Sequence, residues 1–198
     1  MINLFLIIIL LLSIIAHEYS HAWTAARLGD DTAARAGRLT LNPLAHLDIF
    51  GSLIIPGLLL LAGSPIVFGY AKPVPINFSN LRGGFKGVAK TALAGPAANF
   101  VLAIVAALAM RYLAGGPGSA WGQLLFLMTM INVVLMTFNL LPVPPLDGSK
   151  ILALLLPERW RYSYLASERW SFFVLLFIMV MFPDLIYYPV SWLMSWLI

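Results

Sequence analysis

Two histidines and a glutamate stand together at His17-Glu18-Tyr19-Ser20-His21, directly after a run in which only Asn3 and Ser13 are polar between Ile2 and Ala16. On a helix, residues i and i+4 lie about 40° apart around the axis. His17 and His21 therefore point the same way, one turn apart, and can bind one metal ion through their imidazole nitrogens. Glu18 falls on the adjoining face, close enough to hold a water at that metal without itself being a ligand. This is the His-Glu-x-x-His logic of zinc hydrolases, in which zinc lowers the pKa of its water towards ~7 and the glutamate takes the proton. Chance occurrence on a solvated helix is a poor account of it here. The chain has three histidines, two of them in this motif, and ionisable groups in a membrane helix are costly enough to imply function.

A hydrolytic zinc site takes a third protein ligand and keeps one position open. The remaining candidates are His46, Asp30, Asp31, Asp48, Asp147, Asp184, Glu158 and Glu168. Asp147 stands out because it ends NLLPVPPLDG, which follows a segment that must return to the side where the histidines lie. Three prolines in four residues cannot continue a helix, so the backbone there is extended, and Gly148 allows a sharp turn. The other role open to Asp147 is the N-cap of a helix over GSKILALLL, and the spacing does not separate the two.

The elements that must position these residues belong to a membrane protein. Of 198 residues, 61% are hydrophobic and only 10% charged, and the mean hydropathy is +0.92. A soluble domain of this length carries far more charge. The net charge of +4 reports topology and not nucleic-acid binding. Without cysteine there are no disulfides and no thiolate metal sites. A cleaved signal peptide fits the N-terminus poorly, since no Lys or Arg precedes the apolar run and no small-x-small site follows it.

Ile2 to Leu28 reads as one long helix. Residues 29–50 read as a polar loop, with RLTL (38–41) a possible short strand. Residues 51–70 are apolar but interrupted by Pro56, Gly57, Gly63, Pro65 and Gly69, which is poor material for a straight span. KPVPINF (72–78) reads as extended, since each residue before a proline is pushed out of α space. Val88–Leu113 and Trp121–Leu141 each have the ~20 residues that cross a hydrocarbon core. KILALLLP is a short apolar piece, and Trp170–Ile198 is apolar with a break at Pro183-Asp184. If 51–70 enters and leaves on one side, eleven of the twelve basic residues fall together and only Arg111 lies across, a strong positive-inside split. The expectation is therefore an α-helical integral membrane protein, one domain over 1–198. It is a bundle of three core transmembrane helices with a re-entrant or hairpin segment at 51–70, short strands near 38–41 and 72–78, and a C-terminal membrane helix or hairpin. The N-terminus is expected outside and the histidines near the cytoplasm. Fifteen residues rising 1.5 Å each cover about 22 Å of a core about 30 Å thick, which places the metal inside the slab.

His17-Glu18-x-x-His21 together with Asn139-Leu140-Leu141-Pro142-Val143-Pro144-Pro145-Leu146-Asp147-Gly148 resembles the site-2 protease family of intramembrane zinc metalloproteases. Gly95-Pro96-Ala97-Ala98-Asn99 between them is also typical of it. The resemblance implies one zinc ion held by His17, His21 and Asp147, with Glu18 as general base. It also implies that Asn139 lies at the site and steadies the substrate carbonyl or the oxyanion. Asn99 reads as structural, satisfying backbone groups, beside a Gly95 that permits close helix approach. LNPLAHLD followed by the interrupted 51–70 is similar to one short prokaryotic subgroup without PDZ or CBS domains. There His46 would be an electrophile or a fourth ligand, against a plain hydrogen-bonded loop histidine. The implied activity is regulated intramembrane proteolysis of the transmembrane helices of membrane protein substrates, in a prokaryotic inner or plasma membrane. The rival readings are a zinc-binding membrane protein that holds helical partners without cutting them, and a small transporter. The transporter ranks last because the chain lacks matching halves.

Overall fold

The computed structural model describes residues 2–48 and 72–198, together with residues 54, 58 and 61. The re-entrant or hairpin segment expected at 51–70 therefore lies outside the described residues but for those three positions. Among the described residues the elements are helical: α1 (Ile2–Arg27), α2 (Thr32–Arg35), α3 (Pro43–His46), a 3-10 turn (Phe78–Asn80), α4 (Phe85–Tyr112), α5 (Ala120–Asn139), α6 (Asp147–Leu155), α7 (Glu158–Leu165), α8 (Glu168–Met181) and α9 (Asp184–Leu197).

Three helices are long and apolar enough to cross a membrane, Phe5–Arg27, Phe85–Tyr112 and Ala120–Asn139, and the protein is a membrane protein. They match the three spans read from hydropathy to within a few residues. Their outer faces carry large apolar side chains, among them Ile7 and Leu12 on α1 and Val101, Val105 and Leu108 on α4. In water such surface would demand a partner; in lipid it needs none. α4 is the central element and packs against α1, α5 and α6. The buried face of α4 is dominated by small residues, Gly87, Ala89, Ala92, Gly95, Ala103, Ala106 and Ala107, which let neighbouring backbones approach closely where no hydrophobic drive separates protein from lipid. The expected break at Pro183-Asp184 falls between α8 and α9, and α9 packs back on α5.

The expected strands at 38–41 and 72–78 are not present. Residues 38–41 form a bend and 72–77 an extended stretch without a ladder. The reason lies in where the backbone groups go. Pro73 and Pro75 have no N–H to donate. Val74 N–H donates to Glu18 Oε2 at 2.9 Å, and Asn77 N–H donates to Asp30 Oδ2 at 2.7 Å. The buried Arg38 guanidinium donates to the carbonyls of Ala45, Lys72 and Pro73. Side chains from distant parts of the sequence have taken the groups that a ladder would need. Lys72 N–H donates to His46 O at 3.0 Å, and Arg82 N–H donates to Leu28 O at 2.8 Å. The residues after α1 and those before α4 are thus joined at one end of the bundle.

Asp30 is the fastening of that end. It is fully buried, and its carboxylate accepts from Thr32 N–H and Oγ1–H, Asn77 N–H and Asn80 Nδ2–H. Burial alone would raise its pKa, but these donors outweigh it and hold the carboxyl below its ordinary value. A depressed folded-state pKa contributes stability that is present above the unfolded value of ~3.9 and is lost as pH falls through the folded value. Asp30→Asn is expected to destabilise the protein by about 1.5–3 kcal/mol at neutral pH. In detergent melting curves its deficit against wild type should shrink below about pH 4. A deficit that stays constant with pH would mean the charge of Asp30 is not what holds the loops.

Candidate metal centre

The three ligand atoms expected from the sequence meet. His17 Nε2 and His21 Nε2 lie 3.0 Å apart, and Asp147 Oδ2 is 3.2 Å from the first and 3.1 Å from the second. All three residues are buried, and they form the one group of three or more ionisable side chains among the described residues that can hold a metal ion. The histidines come from one face of α1, as their spacing requires. Asp147 comes from the start of α6, whose N-cap is Leu146, and it makes no capping hydrogen bond. The choice left open by the sequence thus falls away from capping, because the carboxylate is turned to the histidines.

The other nitrogen of each imidazole fixes what Nε2 can do. His21 Nδ1 lies 2.7 Å from Thr91 O, and His17 Nδ1 lies 2.6 Å from Asn99 Oδ1. A carbonyl oxygen only accepts, so both Nδ1 atoms carry the proton and donate it. With the proton on Nδ1, Nε2 is the nitrogen of each ring left to give a lone pair, and both are aimed at each other and at a carboxylate oxygen. Three converging lone pairs repel unless a cation lies between them. Two imidazoles and one carboxylate are the donor set of zinc hydrolases, so the residues fit that ion.

The approach depends on Gly95. A Cβ at this position would lie on top of His21 Nε2 and within 2.6 Å of His17 Nε2 and Cε1. Pro96, the next residue, removes an N–H from the ladder of α4, and the carbonyl of Thr91, five residues before it, serves His21. Gly148 acts the same way on the other side. It is not the flexible point of a turn, as its sequence suggests, but a helical residue whose missing Cβ makes room for the carbonyls of Leu140 and Leu141. Without that room Asp147 could not reach the histidines.

A cavity of about 480 Å³ opens beside the three ligand atoms, lined by His17, Glu18, His21, Asn139 and Asp147 among others. Glu18 is held over it by Val74 N–H. Asn139 keeps one amide proton on Leu135 O of its own helix and otherwise lines the cavity. Lys150 Nζ sits 3.7 Å from Asp147 Oδ1, the oxygen turned away from the histidines, a contact the sequence reading did not anticipate although Lys150 is one turn from Asp147. His46 is not gathered into the group. It is fully buried and donates through Nε2 to Thr40 O at 2.8 Å. Asn99 does serve a backbone group, Ser13 O at 3.3 Å, but its oxygen is the partner of His17.

Residues 116–182, which include the whole Asn139–Gly148 motif, match the model of peptidase family M50. The chain is 38% identical over 89% of its length to the "Putative zinc metalloprotease YwhC" of Bacillus subtilis, covering 80% of that protein. The chain belongs to peptidase family M50, the site-2 protease family. Membership makes it a metalloprotease. It is also 33% identical over 86% of its length to the "Putative zinc metalloprotease Rip2" of Mycolicibacterium smegmatis, and 24% identical over 83% to the "Zinc metalloprotease MJ0392" of Methanocaldococcus jannaschii. It covers 64% and 37% of those two relatives. No solved structure matches the chain.

If the close approach of α4 to the histidines is what leaves room for the ion, Gly95→Ala should lose metal. Metal analysis of the purified variant is expected to fall from about one equivalent to background, with helix content by circular dichroism retained. A variant that keeps its metal would mean α4 can move away from α1.

Proposed function

We propose that the protein is an intramembrane zinc metalloprotease that hydrolyses a peptide bond within or beside the transmembrane helix of a membrane protein substrate, as in regulated intramembrane proteolysis. The observation that carries this reading is the convergence of His17 Nε2, His21 Nε2 and Asp147 Oδ2, within helices apolar enough to cross a membrane and beside a glutamate that is not one of the three. These residues would hold one zinc ion. When bound, zinc supplies the Lewis acidity that activates water and polarises a carbonyl.

The chain's own residues divide the remaining work. Asp147 and the two histidines present three donors and leave the cavity side open for substrate and water. Glu18 holds the attacking water and takes its proton, then returns that proton to the leaving amine. Val74 N–H keeps one carboxylate oxygen occupied, so the other is the one free to face the water. Asn139 has a free amide proton in the cavity with which to steady the substrate carbonyl as charge develops on it. A helical substrate must unwind before it can enter, because its carbonyls are otherwise held in their own ladder. We place the protein in a prokaryotic inner or plasma membrane with its N-terminus outside and the cavity open towards the cytoplasm. The end of the bundle that bears the cavity carries Arg27, Arg82, Lys86 and Lys90 at or near the ends of α1 and α4, and Arg111 lies at the opposite end of α4.

A protein that bound zinc and a helical partner without cutting would have no need of a base. Purified protein tested on a single-span substrate separates the two readings. Glu18→Gln is expected to keep zinc and lose at least about 10²-fold in cleavage. Equal cleavage by the variant and wild type would overturn the mechanism. Val74→Pro removes the donor to Glu18 within a stretch already flanked by prolines, and exchanges one apolar side chain for another against Ala22 and Ala33. It should keep zinc and lower turnover by about 10-fold or more, the worth of a hydrogen bond to a charged group.

A further inference from the structure

Asn132 has no place in the chemistry above. It sits in the middle of α5, fully buried, in a helix otherwise made for lipid. Asn99 is also fully buried, on α4, and Ser13 lies on α1 one turn before His17. The three side chains form one polar cluster that joins the three spanning helices. Asn132 Nδ2–H donates to Met128 O and to Ser13 Oγ, both at 2.9 Å. Asn132 Oδ1 accepts from Asn99 Nδ2–H at 2.8 Å, and the same Nδ2 donates to Ser13 O. Asn99 Oδ1 then accepts from His17 Nδ1–H at 2.6 Å.

The direction of every bond in this chain is forced from its far end. Met128 O is a backbone carbonyl and only accepts, so the amide of Asn132 must turn its nitrogen there and its oxygen to Asn99. Asn99 must meet that oxygen, and Ser13 O, with its own nitrogen. Its oxygen is left for His17, which is obliged to carry its proton on Nδ1 and to keep a lone pair on Nε2. We propose that Asn99 and Asn132 are positioning residues for the metal: a two-amide relay that starts at a helix carbonyl on α5 and sets the tautomer and orientation of His17. The other histidine needs no such device, because Thr91 O imposes the same state on His21 directly. The affinity of the site thus depends on a residue of a third helix that touches neither a ligand nor the ion. Apolar burial of two amides costs free energy unless each is satisfied, and here each is bonded through both of its ends, which is what a relay of fixed polarity requires.

This inference rests on the zinc reading of the site, and the test keeps the two apart. Zinc affinity of the full chain in detergent is measured by competition with a chelator for wild type, His17→Ala, Asn99→Leu, Asn99→Asp and Asn132→Leu. Loss of the outer partner of a ligating histidine typically costs about 10- to 100-fold in metal affinity, and that loss is expected for both leucine variants. Asn99→Asp keeps an acceptor for His17 Nδ1–H but has no N–H for Asn132 Oδ1 and Ser13 O, so it should recover only part of the loss. Leucine variants that bind as tightly as wild type would overturn the relay. Wild type without zinc, or His17→Ala with it, would instead overturn the site itself. Should the leucine variants fail to fold, ¹⁵N spectra of histidine-labelled, zinc-loaded wild type decide the matter without them. His17 must show a protonated Nδ1, and zinc on that nitrogen would remove the proposal.

Discussion

Three lone pairs, on His17 Nε2, His21 Nε2 and Asp147 Oδ2, are brought within about 3 Å of one another among apolar helices. Left without a cation they repel, and desolvated polar groups inside a membrane cost far more than at a surface. Much of the bundle can be understood as what is needed to hold them there. Each imidazole spends its second nitrogen on an acceptor, so that the ring cannot rotate or change tautomer. The carboxylate is carried on the first residue of a helix whose preceding prolines cannot relax into another turn. Glycine stands where the backbone of α4 passes the histidines and where the backbone of α6 passes the end of α5. At the first a methyl group would occupy the space that the two histidines use, and at the second the space of the Leu140 and Leu141 carbonyls.

The same constraint explains why the polar loops at one end are so thoroughly tied. Glu18 points towards them, and its carboxylate is held by the backbone of Val74. That backbone is in turn held by Arg38 at Lys72 and Pro73 and by Asp30 at Asn77. In the proposed mechanism Glu18 stands beside the ion without binding it, and so has to be pulled away from it. A main-chain N–H on a proline-stiffened segment does this with little entropy to lose. The loops are therefore part of the site's geometry, although their sequence looks like ordinary connection.

What could be read in the sequence follows from how far each signal reaches. Span lengths, the break at Pro183-Asp184 and the shared face of His17 and His21 are local consequences of composition and helical period, and each appears where it was expected. Asp147 was legible as a candidate because three prolines constrain its neighbourhood, but only tertiary contact separates a ligand from a helix cap. The strands failed for the converse reason. An extended pattern states what a backbone can pair with, and at 72–77 the partners turned out to be the side chains of Glu18 and Asp30, some fifty residues away in sequence. Asn132 is a signal in the sequence too, a polar residue in mid-span, where burial of an amide implies a bonded partner. Asn99 was read through its motif as a backbone prop, which it is, but which side of its amide faces a histidine cannot be seen without the fold.

On the proposed reading hydrolysis needs water among helices apolar enough to cross a membrane, and the cavity lies towards one end of them. Its lining is drawn from the tied loop at Pro73, Val74, Ile76 and Phe78 and from the chain around Asp147, Lys150 and Glu168. All of these belong to the end of the bundle where α1 finishes and α4 begins. The opposite half of α1, which faces the other side with Ile7, Ile8 and Leu12 exposed, contributes nothing to it. Above His17 the spanning helices are instead sealed by Ser13, Asn99 and Asn132, whose polar groups are spent on one another and on backbone. The cluster lies one turn of α1 beyond His17, and none of its three residues is among those that line the cavity. A polar seal can serve both ends only if it is fully satisfied, because a free amide there would draw water through the bundle.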